Sequence, residues 1–190
     1  MTEVRQEEAE SRLAMATGVF TGAVVLSVFG LYVFGNSRPE GHEVAGEVEL
    51  AVPPEAVYAL LSDYERRPDW RPRVARIGRI ADDGEGRQVW RELDEGDDRF
   101  DFKVLEEVSG QRVVLTTASP DQIGYDATWS FSVAPRGSGS VLTVEEQGEV
   151  DNPLWRGIFY LRTGPWSTVE QELTMVADAL SPGATPRRLR

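Results

Sequence analysis

The sequence predicts an α+β fold in which an antiparallel sheet is followed by a long C-terminal helix and preceded by one N-terminal transmembrane helix. Three observations predict it: an uncharged stretch near the N-terminus, a series of alternating segments joined by tight turns, and a final segment of helical period. A length of 190 residues with 41% hydrophobic residues fits a single globular domain.

The composition excludes several chemistries. The chain has no cysteine and one histidine, which excludes disulfide frameworks, thiolate catalysis and multi-histidine metal sites built by one chain. Twenty Lys and Arg residues stand against 32 Asp and Glu residues, for a formal net charge of −12. Because a nucleic-acid partner requires a basic face, no nucleic acid is expected. Neither a metal nor a cofactor is predicted.

Residues 14–35 are predicted to form a transmembrane helix that follows an N-terminal tail of residues 1–13. No charged residue occurs between Arg12 and Arg38. About 21 helical residues span about 31 Å, which matches a hydrocarbon core of about 30 Å. Apolar residues on all sides of this helix favour lipid over burial in so small a chain. The acidic segment before it opposes a cleaved signal peptide.

The flanking charges predict a single-pass membrane location and favour the outer side for the domain. Arg5 and Arg12 lie on the amino side against Arg38 alone, and positive charge favours the inner side. The two sides differ by only one or two charges, so the orientation stays open. Gly18 and Gly22 form a G-x-x-x-G pattern, which leaves a weak homodimer through this face as an alternative.

A linker is predicted over residues 36–43, where Gly, Pro and Asn occur without periodicity. His42, the only histidine, lies in this linker and is therefore expected to be a solvated residue. The soluble domain is predicted over residues 44–181. It opens with a half-buried strand at residues 44–52, and Pro53 then begins a short helix.

Six further strands are predicted, and the tight turns between them indicate an antiparallel sheet. Each segment alternates in hydropathy and ends in a cluster of Gly, Asp, Ser or Pro. The predicted strands cover residues 74–81, 87–93, 99–108, 111–118, 124–134 and 140–150.

The last element is predicted to be a helix over residues 153–180. Gly164 and Pro165 must kink or break it. Its second half carries apolar residues on one face, which is typical of a helix packed on a core. Residues 182–190 are predicted to be a basic tail, either solvated or in contact with anionic lipid.

Local motifs accompany this order of elements: VPPE at 52–55, LLSD at 60–63, PDWRP at 68–72, WSF at 129–131 and LTV at 142–144. Order and motifs together resemble the START-like or SRPBCC superfamily, and within it the polyketide cyclase/dehydrase and lipid-transport group. The resemblance covers about residues 44–180. It implies a helix-grip (START/Bet v 1-like) fold, in which a curved antiparallel sheet wraps around the C-terminal helix and leaves an apolar cavity.

Under this resemblance, large apolar side chains on alternating strand positions are candidates to line the cavity; ordinary core packing is the alternative. Strand alternation aims Glu146 inward, where a buried carboxylate needs a partner. Arg91, Arg99 and Arg162 are the candidate partners, and a solvated Glu146 at a strand end is the alternative. The candidate ligand-binding residues are Trp90, Phe100, Phe102, Trp129, Phe131, Glu146 and Phe159.

Three functions are compatible with these residues. The favoured hypothesis is a membrane-anchored, non-catalytic domain that binds or carries a hydrophobic small molecule or lipid. The second is a cyclase/dehydrase-type enzyme in which Glu146, with Tyr125 or Arg91, transfers a proton. The third is a ligand-free interaction module of a membrane complex. An interior filled by side chains would favour the third hypothesis over the other two.

Overall fold

A computed structural model of the chain describes residues 2–119 and 124–189. The helices are α1 (Thr2–Asn36), α2 (Pro54–Ser62), α3 (Arg67–Trp70), α4 (Pro153–Arg162) and α5 (Pro165–Leu180), and a single 3₁₀ turn covers Tyr64–Arg66. The strands are β1 (Gly41–Leu50), β2 (Arg76–Asp82), β3 (Gln88–Leu93), β4 (Arg99–Val108), β5 (Arg112–Thr117), β6 (Asp126–Arg136), β7 (Gly139–Glu149) and β8 (Arg187–Arg188).

The strands form one antiparallel sheet in the order β2-β3-β4-β5-β6-β7-β1-β8. Six of them, β2 to β7, follow one another along the chain and pair in that order, and their bounds lie within two residues of the predicted ones. Strand β1 returns to pair with β7, so β7 is flanked by β1 on one side and β6 on the other. The predicted antiparallel sheet is confirmed, and its inner face is covered by α5.

Helix α5 packs on the sheet through the apolar stripe that its sequence predicts. Val169, Leu173 and Val176 on this stripe are fully buried. Gly46 on β1 permits the close approach, because a Cβ there would lie 2.6 Å from the Trp166 ring. The predicted break before α5 is also present: Gly164 has a φ of 73°, a conformation that favours glycine, and it separates α5 from α4.

The C-terminal end of α1 packs directly on α4. A Cβ on Gly35 or on Gly157 would lie 1.7 Å or 2.6 Å, respectively, from a carbonyl oxygen of the opposite helix. Arg156 of α4 is fully buried; its Nε donates to the Gly35 carbonyl at 2.9 Å, and its Nη1 donates to the Val150 carbonyl at 3.1 Å. This guanidinium therefore joins the end of α1 to the start of α4.

The transmembrane segment expected over residues 14–35 is not supported. A spanning helix needs about 20 consecutive, mainly apolar residues, and no helix in the described part of the chain is long and apolar enough to cross a membrane. Gly18 of the expected dimer pattern lies outside the residues whose surroundings are described. A Cβ added to Gly22 would have nothing within 4 Å, so no helix packs on Gly22 in the single chain.

Two segments expected to lack regular structure belong to the fold instead. Helix α1 continues to Asn36 and β1 begins at Gly41, so only a short turn remains of the predicted linker. Strand β7 extends to Glu149 and pairs with the whole of β1, which draws His42 into the sheet. At the other end, β8 pairs with β1, and Arg187 donates to Glu47 at 2.8 Å, so this part of the basic tail is held by the sheet.

Arg156→Ala is expected to lower the free energy of unfolding by about 2–4 kcal/mol, because it removes two charge-assisted hydrogen bonds at a buried position. Urea unfolding of the full chain measures the change. Arg162→Ala on the same helix is the matched control: Arg162 is exposed, and its loss should cost less than about 0.5 kcal/mol. Equal effects of the two substitutions would contradict the anchoring role of Arg156.

Candidate functional site

A cavity of about 220 Å³ lies between the sheet and α5, lined by residues of β4, β5, β6, α3 and α5. The alternation of side chains along each strand turns large apolar groups towards this space. Its apolar walls are Phe100, Phe102, Leu115, Trp129 and Phe131. Polar side chains occur at both ends, which are separated by one turn of α5: Thr168 lies at one end and Glu172 at the other.

Four of the predicted ligand-binding residues line this cavity, namely Phe100, Phe102, Trp129 and Phe131. Trp90 is buried in the core instead, with its ring 5.4 Å from that of Tyr64. The other two predicted residues, Glu146 and Phe159, lie behind the inner end of the cavity rather than on its wall. Whether any of these residues binds a ligand stays a prediction.

Glu146 is fully buried and accepts four hydrogen bonds, two on each carboxylate oxygen. Oε1 accepts from His42 Nε2 at 2.9 Å and from the Tyr125 hydroxyl. Oε2 accepts from Trp129 Nε1 at 2.8 Å and from the Thr168 hydroxyl. Four surrounding donors match an ionised carboxylate, which only accepts hydrogen bonds. The five residues are called the Glu146 cluster below.

Strand pairing assembles this cluster. Glu146 on β7 lies opposite Trp129 on β6, and His42 reaches it from β1 on the other side. Space for the two rings comes from Gly148, where a Cβ would lie 2.6 Å from His42 Cε1 and 2.9 Å from the Tyr125 hydroxyl oxygen. Glycine at residue 148 is therefore a condition for the convergence of His42 and Tyr125 on one carboxylate oxygen.

The inward orientation predicted for Glu146 is confirmed, but its predicted partners are wrong. Arg91 forms a bidentate pair with Asp101, with both N–O distances at 2.7 Å. Arg99 and Arg162 are exposed and do not reach the buried carboxylate. Ring N–H and hydroxyl donors take the place of an arginine, because four hydrogen bonds compensate the buried charge.

Histidine 42 is the residue that the sequence analysis misplaced. Its side chain is only 6% exposed. The imidazole stacks between the rings of Phe159, at 5.5 Å, and Tyr125, at 6.2 Å. Its Nδ1 is buried without a hydrogen-bond partner among the described residues. The expectation of a solvated histidine is therefore wrong, because pairing of β1 with β7 continues through a segment that shows no alternation in its sequence.

Burial, and then the charge of Glu146, raise the pKa of Tyr125 well above the usual range of a phenol. Ionisation would place a second negative charge beside the carboxylate in a site that excludes water. The Tyr125 hydroxyl therefore keeps its proton and its hydrogen bond to Glu146 at neutral pH.

A charge network closes the opposite end of the cavity. Arg71, directly after α3, forms a bidentate pair with Glu172 of α5, at 2.6 and 2.7 Å. Arg67 Nε lies 2.6 Å from Glu92 Oε1, and the Arg67 guanidinium lies 4.5 Å from the centre of the Phe102 ring. Burial, and then the charge of Arg71, lower the pKa of Arg67 to about 10. Two cations and two anions thus leave this end without net charge at neutral pH.

The Arg71–Glu172 pair also separates the cavity from a second space of about 330 Å³. Four residues line both spaces: Arg71, Phe100, Gln171 and Glu172. The second space is bounded by α5 and by the turn between β3 and β4. The pair therefore lies on the boundary between the two spaces.

Comparison of sequences identifies one related family. Residues 41–180 match the family described as polyketide cyclase/dehydrase and lipid transport. No curated protein sequence matches the chain significantly.

Solved structures resemble this chain in fold. A START superfamily protein from Mycobacterium smegmatis is 24% identical, with a TM-score of 0.54 over 73% of this chain and 93% of that chain. Norcoclaurine synthase from Thalictrum flavum is 14% identical, with a TM-score of 0.55 over 77% of this chain and 90% of that chain. The di-domain ARO/CYC StfQ from the steffimycin biosynthetic pathway is 13% identical, with a TM-score of 0.57 over 74% of this chain and 51% of that chain. At these identities the likeness shows the fold alone, and it confirms the expected helix-grip architecture.

Gly148→Ala is expected to displace the His42 ring from Glu146, because the new Cβ would overlap the imidazole. His42 is the only histidine, so its imidazole signals in a ¹H–¹⁵N NMR spectrum need no assignment by mutagenesis. Gly41→Ala on the neighbouring strand is the control, since its Cβ meets only a backbone oxygen at 3.8 Å. Unchanged imidazole signals in Gly148→Ala would show that the described cluster is wrong.

Proposed function

The chain belongs to the polyketide cyclase/dehydrase and lipid transport family, and from this premise we propose that it binds a hydrophobic small molecule between the sheet and α5. The observation that carries the proposal is the cavity of about 220 Å³ with five large apolar side chains on its walls. Ligand sites are typically concave, mostly apolar and supplied with few polar groups. This cavity has that composition.

The cavity volume limits the size of the ligand. An apolar cavity of about 150 Å³ holds one benzene molecule, so 220 Å³ accommodates one substituted ring. A larger ligand would extend into the adjoining 330 Å³, past the Arg71–Glu172 pair. A diacyl lipid exceeds the volume of the cavity.

Binding is better supported than catalysis by Glu146. A general base must come within hydrogen-bond reach of the proton that it removes, and Glu146 is separated from the cavity by Tyr125, Trp129 and Thr168. Its four hydrogen bonds also occupy both oxygens. Arg91, the other proposed helper, is held by Asp101. Of the groups that the enzyme hypothesis names, only Tyr125 lines the cavity, and its proton is donated to Glu146.

The open interior also favours ligand binding over a ligand-free interaction module. A domain that serves only as a docking surface gains stability from a filled core, since unfilled volume costs van der Waals contacts. Here aromatic side chains such as Phe100 and Trp129 line a cavity that no other side chain fills.

Leu115→Phe is expected to abolish binding of a neutral aromatic probe, because the added ring atoms occupy cavity volume. Binding of p-xylene to the full chain, followed by ligand-observed NMR, measures the loss. Leu105→Phe is the matched control, since Leu105 is exposed on β4 and should leave the affinity unchanged. Circular dichroism checks that both variants fold. Equal binding by Leu115→Phe and the wild type would place the probe elsewhere and reject this site.

We also propose that α1 lies in contact with a membrane. Its exposed apolar side chains include Phe20, Leu26 and Phe29, which are 72%, 71% and 64% exposed. Large exposed apolar surfaces mark contacts with proteins or membranes. The consecutive residues Val24, Val25 and Leu26 are all exposed, and successive helical residues point about 100° apart, so lipid covers this surface more completely than one protein partner could. The side of the membrane on which the domain lies stays a prediction.

Replacing Leu26 and Phe29 together by lysine is expected to release the full chain from phosphatidylcholine vesicles, because charged side chains partition poorly into hydrocarbon. A flotation assay compares the fraction bound. The control replaces Ile80 and Leu105, exposed apolar residues on the sheet, by lysine and should float like the wild type. Failure of the wild type to float would reject the membrane proposal.

A further inference from the structure

We propose that the ligand is a neutral ring compound that carries a hydroxyl group, and that this hydroxyl donates a hydrogen bond to Tyr125 or Thr168 at the inner end of the cavity. The proposal rests on the proposed function and names the chemical class that this cavity selects. It follows from the directions of the hydrogen bonds in the Glu146 cluster, from the charge balance at the other end and from the cavity volume.

The inner end of the cavity can only accept hydrogen bonds. Tyr125 and Thr168 line the cavity, and each hydroxyl has one proton. The Tyr125 proton goes to Glu146. The Thr168 proton is directed to Glu146 and to the Pro165 carbonyl at 2.9 Å, and neither of these residues lines the cavity. Lone pairs are therefore what these two oxygens offer to a ligand.

Trp129 is the third polar residue at this end, and it offers no free hydrogen-bond donor to a ligand. Trp129 lines the cavity with its ring, and its Nε1–H donates to Glu146 at 2.8 Å. An indole nitrogen has no second proton and no acceptor capacity. A ligand whose only polar group is a ketone, ether or fluorine atom thus meets no donor at the inner end.

Glu146 keeps the protons of these two hydroxyl groups directed away from the cavity. If Tyr125 or Thr168 turned its proton towards a ligand, a fully buried carboxylate would lose one of its four hydrogen bonds. Leaving a buried charged group unsatisfied costs more than one ordinary hydrogen bond returns. The hydroxyl protons therefore stay on Glu146, and the ligand has to supply its own donor.

The opposite end of the cavity favours a neutral ligand over an anionic one. Arg67 lies 2.6 Å from Glu92, and Arg71 is paired through two hydrogen bonds with Glu172. A carboxylate or phosphate ligand would add a negative charge beside Glu92 and Glu172, which already balance the charges of Arg67 and Arg71. Fatty acids and phospholipid headgroups are therefore disfavoured at this end.

Two matched probes test the donor requirement: p-cresol, which carries a hydroxyl group, and 4-fluorotoluene, which has fluorine in its place and no donor. Isothermal titration of the full chain gives Kd for each, and the ratio of Kd for 4-fluorotoluene to Kd for p-cresol reports the contribution of the donor. We expect this ratio to fall roughly threefold to tenfold in Tyr125→Phe, which removes one accepting oxygen.

Glu146→Gln provides a second variant with nearly the same shape. Its amide NH₂ donates to a neighbouring hydroxyl oxygen and frees that hydroxyl proton to point into the cavity, so the same ratio should again fall. Phe131→Leu is the control: Phe131 lines the cavity without a polar atom, so it should weaken both probes and leave the ratio within about twofold of the wild-type ratio.

The outcomes separate this inference from the proposed function. If neither probe binds the wild type, the cavity is not a site for small ring compounds, and the proposed function fails together with the inference. If both probes bind and the ratio is unchanged in Tyr125→Phe and Glu146→Gln, binding stands and the donor requirement is overturned. Tighter binding of 4-methylbenzoate than of p-cresol would overturn the preference for a neutral ligand.

Discussion

Burial of one negative charge, that of Glu146, sets the conditions for the rest of the domain. An unpaired carboxylate in a protein interior costs several kcal/mol, and four hydrogen bonds offset that cost here. The donors come from different parts of the chain: His42 from β1, Tyr125 from the segment before β6, Trp129 from β6 and Thr168 from α5. The carboxylate therefore ties three strands of the sheet to the helix that covers them.

The apolar cavity and the Glu146 cluster depend on each other. Because Tyr125, Trp129 and Thr168 turn their donors towards Glu146, the surfaces that they leave for the cavity are ring faces and lone pairs. An apolar molecule can then enter without breaking a hydrogen bond. At the opposite end the charged groups are paired as well. Arg71, next to α3, and Glu172 on α5 neutralise each other's charge. The hydroxyl groups, the indole N–H and the Arg71–Glu172 pair around the cavity thus direct their hydrogen bonds to one another rather than into the space.

Sequence patterns predict the sheet and only part of the site. The strands from residue 76 to residue 149 are bounded by Gly, Asp and Pro turns, which local sequence reveals, and alternation along β7 correctly aims Glu146 inward. The role of His42 depends on pairing between β1 and β7 across a separation of 104 residues, and no local pattern encodes that contact. The pairs formed by Arg67 and Arg71 likewise join distant segments, and Trp90 shows that an inward residue need not reach the cavity.

Helix α4 contacts both the end of α1 and the residues behind the cavity. One of its side chains, Phe159, stacks on His42 behind the cavity, and Arg156 holds the carbonyl of Gly35 at the end of α1. The path from α1 to Glu146 is therefore a continuous series of packed groups that passes through one helix of ten residues. Continuity of contacts does not by itself establish energetic coupling, which requires an element with two arrangements. What the contacts do fix is position: Arg156 keeps the inner end of the cavity beside the end of α1, while the Arg71–Glu172 pair lies at the other end, next to α3 and the turn between β3 and β4.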